Sequence, residues 1–297
     1  MRIGVDLGGT KIEAIALDER GVELVRRRVR TPAGDYRGTI ETVAALVAGV
    51  EAQIGAPATV GVATPGALSR ATGRMKNANS TVLIGEPLDR DLSAALGRPA
   101  RIANDANCFA LSEATDGAGV GAEVVFGVIL GTGVGGGLAV GGRIVEGRNA
   151  IAGEWGHNPL PWPTDAERPG PACYCGRRGC VETFLAGPSL SRDHFEATGA
   201  RLSAAQIAAA SPADAAARDT LARYRDRLAR GLATIVNIVD PDVIVLGGGV
   251  SNIEALYDGL TDLIARYAFT DALATQVRKA AHGDSSGVRG AAWLWPA

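Results

Sequence analysis

At 297 residues the chain has room for two domains of ordinary size. Apolar residues make up 46% and charged residues 21%, a globular balance that excludes a disordered chain, and the net charge of -2 supplies no general attraction for a nucleic-acid backbone. Its apolar stretches, such as those at 124–130 and 243–246, are strand-sized and well short of the roughly 20 residues a membrane-spanning helix needs.

The chain opens as strand, Gly-rich turn and strand: Arg2 to Leu7, then Gly8-Gly9-Thr10-Lys11, then Ile12 to Leu17. Met1 leads straight into the first strand with no charged and apolar leader, so a cytoplasmic location is expected. The basic run Arg26 to Arg28, flanked by Val25 and Val29, reads as a strand with one solvated face and is assigned no function. Ile40, Val43, Leu46, Val47 and Val50 fall at helical spacing and predict a helix over 39–54, stopped by Gly55 to Pro57 before a strand at 60–63.

A second cycle begins near Arg101 with a short strand, the loop Asn104-Asp105-Ala106-Asn107 and an Ala-rich helix through about residue 114. The strand 124–130 then runs into Gly131-Thr132-Gly133-Val134-Gly135-Gly136-Gly137, with β character resuming at Leu138 to Val140. The device of residues 2–17 has recurred, as expected of two related halves facing a cleft. Residues 159–171 are Pro-rich and irregular; a helical stretch covers 203–239, a strand ends at Gly247-Gly248-Gly249, and a helix from Ser286 to Leu294 closes the chain.

Asp6 beside Gly8, Gly9, Thr10 and Lys11 places a carboxylate next to a turn whose bare backbone N–H groups can face a phosphate, while the carboxylate can hold Mg²⁺ directly or through water. An ordinary hairpin turn is the alternative. Walker A spacing is absent, and strand rather than helix follows Gly131, Thr132 and Gly133, so these read as a second phosphate turn and not as a dinucleotide fingerprint. Gly247, Gly248 and Gly249 at the end of a buried strand would let an adenosine approach the backbone, though a structural turn would explain them as well. Asp105 can accept a hydroxyl proton in phosphoryl transfer, or can cap the helix that follows it.

Cys173, Cys175 and Cys180 lie within eight residues, and His157 precedes them. Three thiolates and an imidazole complete a tetrahedral Zn²⁺ shell with no open position, which points to a structural metal rather than to disulfides. The remaining Cys108 reads as a buried apolar residue. Glu154 and Glu182 flank the cysteine unit, either facing the hydroxyls of a polyol or simply exposed to solvent.

Together, Asp6 to Lys11, Asn104 to Asn107, Leu130 to Gly137, Glu154-Trp155-Gly156-His157, Cys173 to Cys180 with Glu182, and Val245 to Gly249 resemble the ROK family, named for repressors, open reading frames and kinases. The resemblance implies an α/β chain of the actin-like ATPase (ribonuclease H-like) duplicated fold, two lobes with an interlobe cleft, ATP with Mg²⁺, a hexose substrate and a homodimer. It implies Asp105 as the general base, with Asn104, Glu154, His157 and Glu182 on or beside the sugar. The expected division is 1–107 with a C-terminal helix 286–297 packed back on it, and 108–285 carrying the zinc segment 157–180. Residues 36–41, 76–81, 158–162 and 282–295 most resemble bacterial fructokinases of the manno(fructo)kinase kind, which makes fructose the first expectation; mannokinase, glucokinase and N-acetylmannosamine kinase are the alternatives. A sugar-responsive repressor is the rival from another class. It needs a helix-turn-helix for which the opening strand leaves no room.

Overall fold

The structure, a computed structural model, describes residues 1–283 and 286–295. In chain order its elements are strands β1 (Arg2–Leu7), β2 (Lys11–Leu17) and β3 (Glu23–Arg30), helix α1 (Tyr36–Ile54), strands β4 (Thr59–Thr64), β5 (Ala67–Leu68) and β6 (Met75–Lys76), and helix α2 (Leu88–Leu96). Strand β7 (Ala100–Asn104), helix α3 (Asp105–Asp116) and strands β8 (Val124–Leu130), β9 (Val134–Val140) and β10 (Arg143–Ile144) follow. The remainder is α4 (Glu182–Leu185), α5 (Gly187–Thr198), α6 (Ala204–Ala210), α7 (Ala215–Val239), β11 (Val243–Gly247), α8 (Leu260–Ala265), β12 (Gln276–Lys279) and α9 (Ser286–Trp293). Among the described residues no helix is long and apolar enough to cross a membrane.

The larger sheets have the orders β3-β2-β1-β4-β7 and β10-β9-β8-β11-β12. The second repeats the first strand for strand, with β8 in the place of β1 and β11 in the place of β4, and each half opens on a Gly turn. In both, the central strand pairs in parallel with the strand that arrives after a crossover, β4 or β11.

The chain divides into two compact units, 1–120 with 137–153 and 284–297, and 121–136 with 154–283. The expected boundary after residue 107 falls inside α3, one uninterrupted helix grouped with the first unit. Strand β9 begins in the second unit, and its last residues with β10 belong to the first.

Within the first unit, strand alternation sorts β1 and β4 into two faces. Ile3, Val5, Val60 and Val62 pack with Val43, Val47 and Val50 of α1. The opposite face presents Gly4 and Gly61 to α9. A Cβ on Gly4 would stand 2.0 Å from the Val288 carbonyl oxygen, and one on Gly61 would stand 1.9 Å from that of Ala291, so the last helix lies backbone against backbone on the sheet. Residues 296 and 297 of the expected closing helix, and Asp284 and Ser285 of the closing sequence, lie outside the described residues.

Helix α1 starts three residues before the apolar spacing predicts, because Asp35 caps it by accepting the Gly38 N–H at 2.9 Å. The basic run is an edge strand that neutralises a buried charge on its neighbour. Arg26 and Arg28 of β3 both donate to Glu13 of β2, a carboxylate 2% exposed. The expected helical stretch 203–239 is two helices, broken around Pro212, with Asp214 capping α7 by accepting the Ala216 N–H. Along α7, Ala217, Leu221, Tyr224, Leu228 and Leu232 recur at three- and four-residue spacing and form its buried stripe in the second unit. Glycines 135–137 belong to β9 rather than to a turn: a Cβ on Gly137 would stand 2.2 Å from the Ala106 carbonyl oxygen, so glycine there admits α3.

Candidate active site

In the first unit, β1 and β2 pair antiparallel with Asp6 opposite Glu13, and the turn between them closes through Gly8 N–H to the Lys11 carbonyl at 3.1 Å. A Cβ on Gly8 would lie 2.8 Å from that same oxygen, which accounts for glycine. Thr31 braces the turn from β3's end, donating its hydroxyl to the Gly8 carbonyl at 2.7 Å. Thr10 and Lys11 remain exposed. Burial, reinforced by the negative charges of Asp105 and Glu13 and opposed by Lys11, pushes the Asp6 carboxyl up to about 6.

Asp105 opens α3, and the capping expected of it falls mainly to Asn104. The Asn104 side chain accepts the Ala106 N–H at 2.9 Å and that of Asn107 at 3.4 Å, while its amide donates to the Gly66 carbonyl at 3.2 Å. Asp105 accepts the Ala106 N–H at 2.8 Å and is exposed at the start of the helix. The first unit therefore brings Asp6 and Asp105 within each other's field and beside a Gly turn. Two carboxylates so placed, one of them held above its ordinary range, fit a divalent cation taken directly or through water.

In the second unit, the turn Gly131-Thr132-Gly133 is closed by Gly131 N–H to the Gly133 carbonyl at 3.0 Å. Glu182, first residue of α4, accepts the Val134 N–H at 2.9 Å, and a Cβ on Gly133 would stand 2.6 Å from its carboxylate. Gly248, at φ +82°, lies against the Leu130 backbone, where a Cβ would meet the carbonyl oxygen at 2.5 Å; Gly187 N–H donates to the Gly131 carbonyl at 2.7 Å. The two Gly turns and Glu182 are thus one assembly, with Gly249 open toward solvent. That joint arrangement was not legible from the separate triplets.

The sulfur and imidazole ligands also meet. One ligand atom from each of His157, Cys173, Cys175 and Cys180 lies within 4.8 Å of every other. His157 Nδ1 stands 3.6 Å from Cys173 Sγ, and Cys175 Sγ stands 3.6 Å from Cys180 Sγ. Donors at about 2.3 Å from one tetrahedral ion are separated by about 3.7 Å, so the spacing fits Zn²⁺ with Nδ1 as the nitrogen ligand. His157 Nε2 is engaged by the Tyr174 hydroxyl at 2.9 Å, which fixes the ring. Glu154 is exposed just before His157, in a turn anchored by Trp155, whose indole donates to the Gly135 carbonyl at 2.9 Å. Cys108, expected to be a buried apolar residue, is fully buried, and His194 is buried and bonded to Thr220 at 3.0 Å.

Sequence reading missed Gly66, whose carbonyl positions Asn104; the Thr64-Pro65-Gly66 turn was its available signal. It also missed the role of Glu167 in the Pro-rich segment. This carboxylate is gripped by Arg227 at 2.7 Å and Arg230 at 2.8 Å from α7, so the segment is tied down at a second point besides the cysteine cluster.

A duplicated sheet order with a Gly turn opening each half defines the actin-like ATPase class of fold. Residues 2–297 match the ROK family, and the chain belongs to it. The N-acetyl-D-glucosamine kinase of Vibrio cholerae is 40% identical over 299 residues, covering 99% of each chain. Among solved structures, the ROK hexokinase from Thermus thermophilus has a TM-score of 0.87 at 34% identity, covering 99% of this chain and 97% of that one. A ROK family glucokinase from Streptomyces griseus, in complex with glucose and AMPPNP, has a TM-score of 0.76 at 30% identity, covering 99% and 98%.

Proposed function

We propose that this ROK-family sugar kinase transfers a phosphoryl group from Mg·ATP to a hydroxyl of N-acetyl-D-glucosamine. The observation that carries the chemistry is the placement of Asp105 at the start of α3, exposed and in the field of Asp6. Asp105 takes the proton of the attacking hydroxyl, and Asn104, fixed by Gly66, orients the sugar beside it. The turn at Gly8, Gly9, Thr10 and Lys11, and that at Gly131, Thr132 and Gly133, offer backbone N–H groups to the nucleotide phosphates, with the adenosine against Gly247, Gly248 and Gly249. Mg²⁺ near Asp6 would supply charge neutralisation on those phosphates. Glu154, His157 and Glu182 complete the sugar contacts, with His157 Nε2 exchanging the Tyr174 hydroxyl for the sugar and Glu182 also holding the second Gly turn through Val134.

Support for the acetamido sugar comes from relatives 40% identical across the whole chain. Fructose, the first expectation, rested on short segments, one of which includes positions outside the described residues; the full-length likeness outweighs it. Zn²⁺ held by His157, Cys173, Cys175 and Cys180 orders the segment that carries the histidine and has no part in the reaction. A homodimer in the cytoplasm is proposed on family likeness alone, with mass by light scattering as its check.

The test is coupled ADP release with N-acetylglucosamine, fructose, mannose, glucose and N-acetylmannosamine. The highest kcat/KM on N-acetylglucosamine is expected, together with a drop of about 10³-fold in kcat for Asp105→Asn at unchanged sugar affinity. Highest turnover on fructose would restore the first expectation. Near-normal turnover of Asp105→Asn would remove the base, and no sugar-dependent release would overturn the kinase reading.

A further inference from the structure

The second unit carries an apolar surface that none of its own elements covers. Phe269, in the turn that follows α8, is 99% exposed, more than any other large apolar side chain among the described residues. Ile238 near the end of α7 is 76% exposed, and Trp162 of the Pro-rich segment 53%. Hydrogen bonds and a ring stack join the three. Asn237, beside Ile238, accepts the Phe269 N–H at 2.8 Å and donates to the Tyr267 carbonyl at 3.5 Å, and Tyr267 stacks on Trp162 with ring centroids 5.5 Å apart.

The patch is also held rigid. The buried Arg230 donates to the Trp162 carbonyl at 2.8 Å, and the Tyr267 hydroxyl donates to Asp226 at 2.9 Å. Trp162 sits at φ +45°, a left-handed backbone that bulky side chains rarely adopt. Strain of this kind persists where the surrounding structure imposes it, and it gathers at functional surfaces.

The two exposed aromatic rings alone offer roughly 300 Å² of apolar surface, and a monomer seldom exposes a contiguous patch beyond a few hundred Å². A stable interface takes about 800 Å² from each partner, of which about 450 Å² is apolar. With Ile238 added, the patch approaches that apolar share. Its shape suits a second copy. Phe269 projects while the stacked pair of Trp162 and Tyr267 is flat, so a two-fold axis through the patch lays Phe269 of each copy on the aromatic pair of the other, and a match made once is made twice. Exposed Asp240, Arg266 and Asp271 stand in the same segments and supply both signs of charge to its margin.

We propose that Trp162, Ile238, Tyr267 and Phe269 form the centre of a two-fold interface between copies of this chain. This deepens the homodimer put forward on family likeness and rests on it for the existence of a second bound copy.

The test is mass by light scattering on the full chain over a concentration series, with sugar-kinase turnover to show that each variant is folded. The unaltered chain should weigh twice 30.4 kDa. Phe269→Glu and Ile238→Glu should each raise the dimer dissociation constant by about 30-fold or more, the effect of losing a residue at the centre of an interface. Val22→Glu, at a 55% exposed apolar position of the first unit, should leave that constant unchanged. A Phe269→Cys chain mixed with a Trp162→Cys chain should give mixed covalent dimers with a short thiol cross-linker, and their absence would overturn the two-fold packing. Dimers that survive Phe269→Glu and Ile238→Glu at unchanged affinity, or that dissociate equally with Val22→Glu, overturn the surface and leave the homodimer standing. An unaltered chain that stays monomeric at every concentration overturns both, whatever other protein the patch then captures.

Discussion

Asp6 bears a charge that its surroundings resist, and Asp6→Asn should therefore make the apo chain more stable at neutral pH while disabling it. Burial, with Asp105 and Glu13 adding to it and Lys11 opposing, moves this carboxyl from 3.8 to about 6. At about 1.36 kcal/mol per pH unit, the shift corresponds to about 3 kcal/mol against the ionised form. The sign follows from linkage. Above the folded pKa the group is ionised in both folded and unfolded chains, and the folded chain bears the whole cost; below the unfolded value it is protonated in both, and the cost vanishes. Stability from this group thus falls as pH rises from 3.8 to about 6. The amide keeps the shape and drops the charge, so the variant should gain about 2–3 kcal/mol over the parent near pH 7.5 and about 1 kcal/mol near pH 4.5. The assay is urea unfolding without nucleotide or magnesium, read from amide exchange in β1 so that the first unit is followed by itself. A gain of the same size at both pH values, or a loss at the higher one, would refute the reasoning.

The cysteine cluster should carry one zinc per chain by elemental analysis, and Cys175→Ser should lose the metal and lower the Tm, while an unchanged metal content would place the ion elsewhere. Gly248→Ala should cost at least about 2 kcal/mol and raise KM for ATP, since a Cβ would sit 2.5 Å from the Leu130 oxygen at a φ of +82°; a neutral variant would show that the turn can relax. Glu167→Gln should cost about 3 kcal/mol at neutral pH by stranding Arg227 and Arg230. Burial works against the Glu167 charge, but bonds from Arg230, Arg227 and the Thr164 N–H outweigh it and hold the carboxyl at about 2. Its stabilisation is therefore present above pH 4.5 and lost as pH falls toward 2, and thermal melts of parent and variant should converge in acid.

Features carried by local chemistry were legible before the structure. The two strand, Gly turn, strand devices announced the duplication because a Gly turn and a period-2 pattern are both short-range signals. The Cys173 to Cys180 spacing announced the Cys/His cluster that the structure assembles, in which His157 turns Nδ1 toward Cys173. What stayed hidden depends on long-range register. Nothing near Gly248 says that Leu130 crosses behind it, and nothing near Glu13 says that Arg26 and Arg28 will arrive from the next strand. Asp105 as a cap was a fair alternative by residue type. Only the geometry assigns that work chiefly to Asn104, one residue earlier. The segmentation was similarly opaque, because a helix that looks like the start of a new half is packed with the old one: α9 meets α3 so closely that a Cβ on Gly290 would stand 1.7 Å from the Cys108 oxygen.

That last helix also imposes a timetable. Strands β1 and β4 are synthesised long before residues 286–293, so Gly4 and Gly61 stay uncovered until the helix that packs on them has been made. An early strand thus waits for a late helix, and until it arrives the Gly turn after Leu7 hangs from a half-covered sheet. The first unit should therefore complete its core only once residues 286–293 are free to pack on β1 and β4.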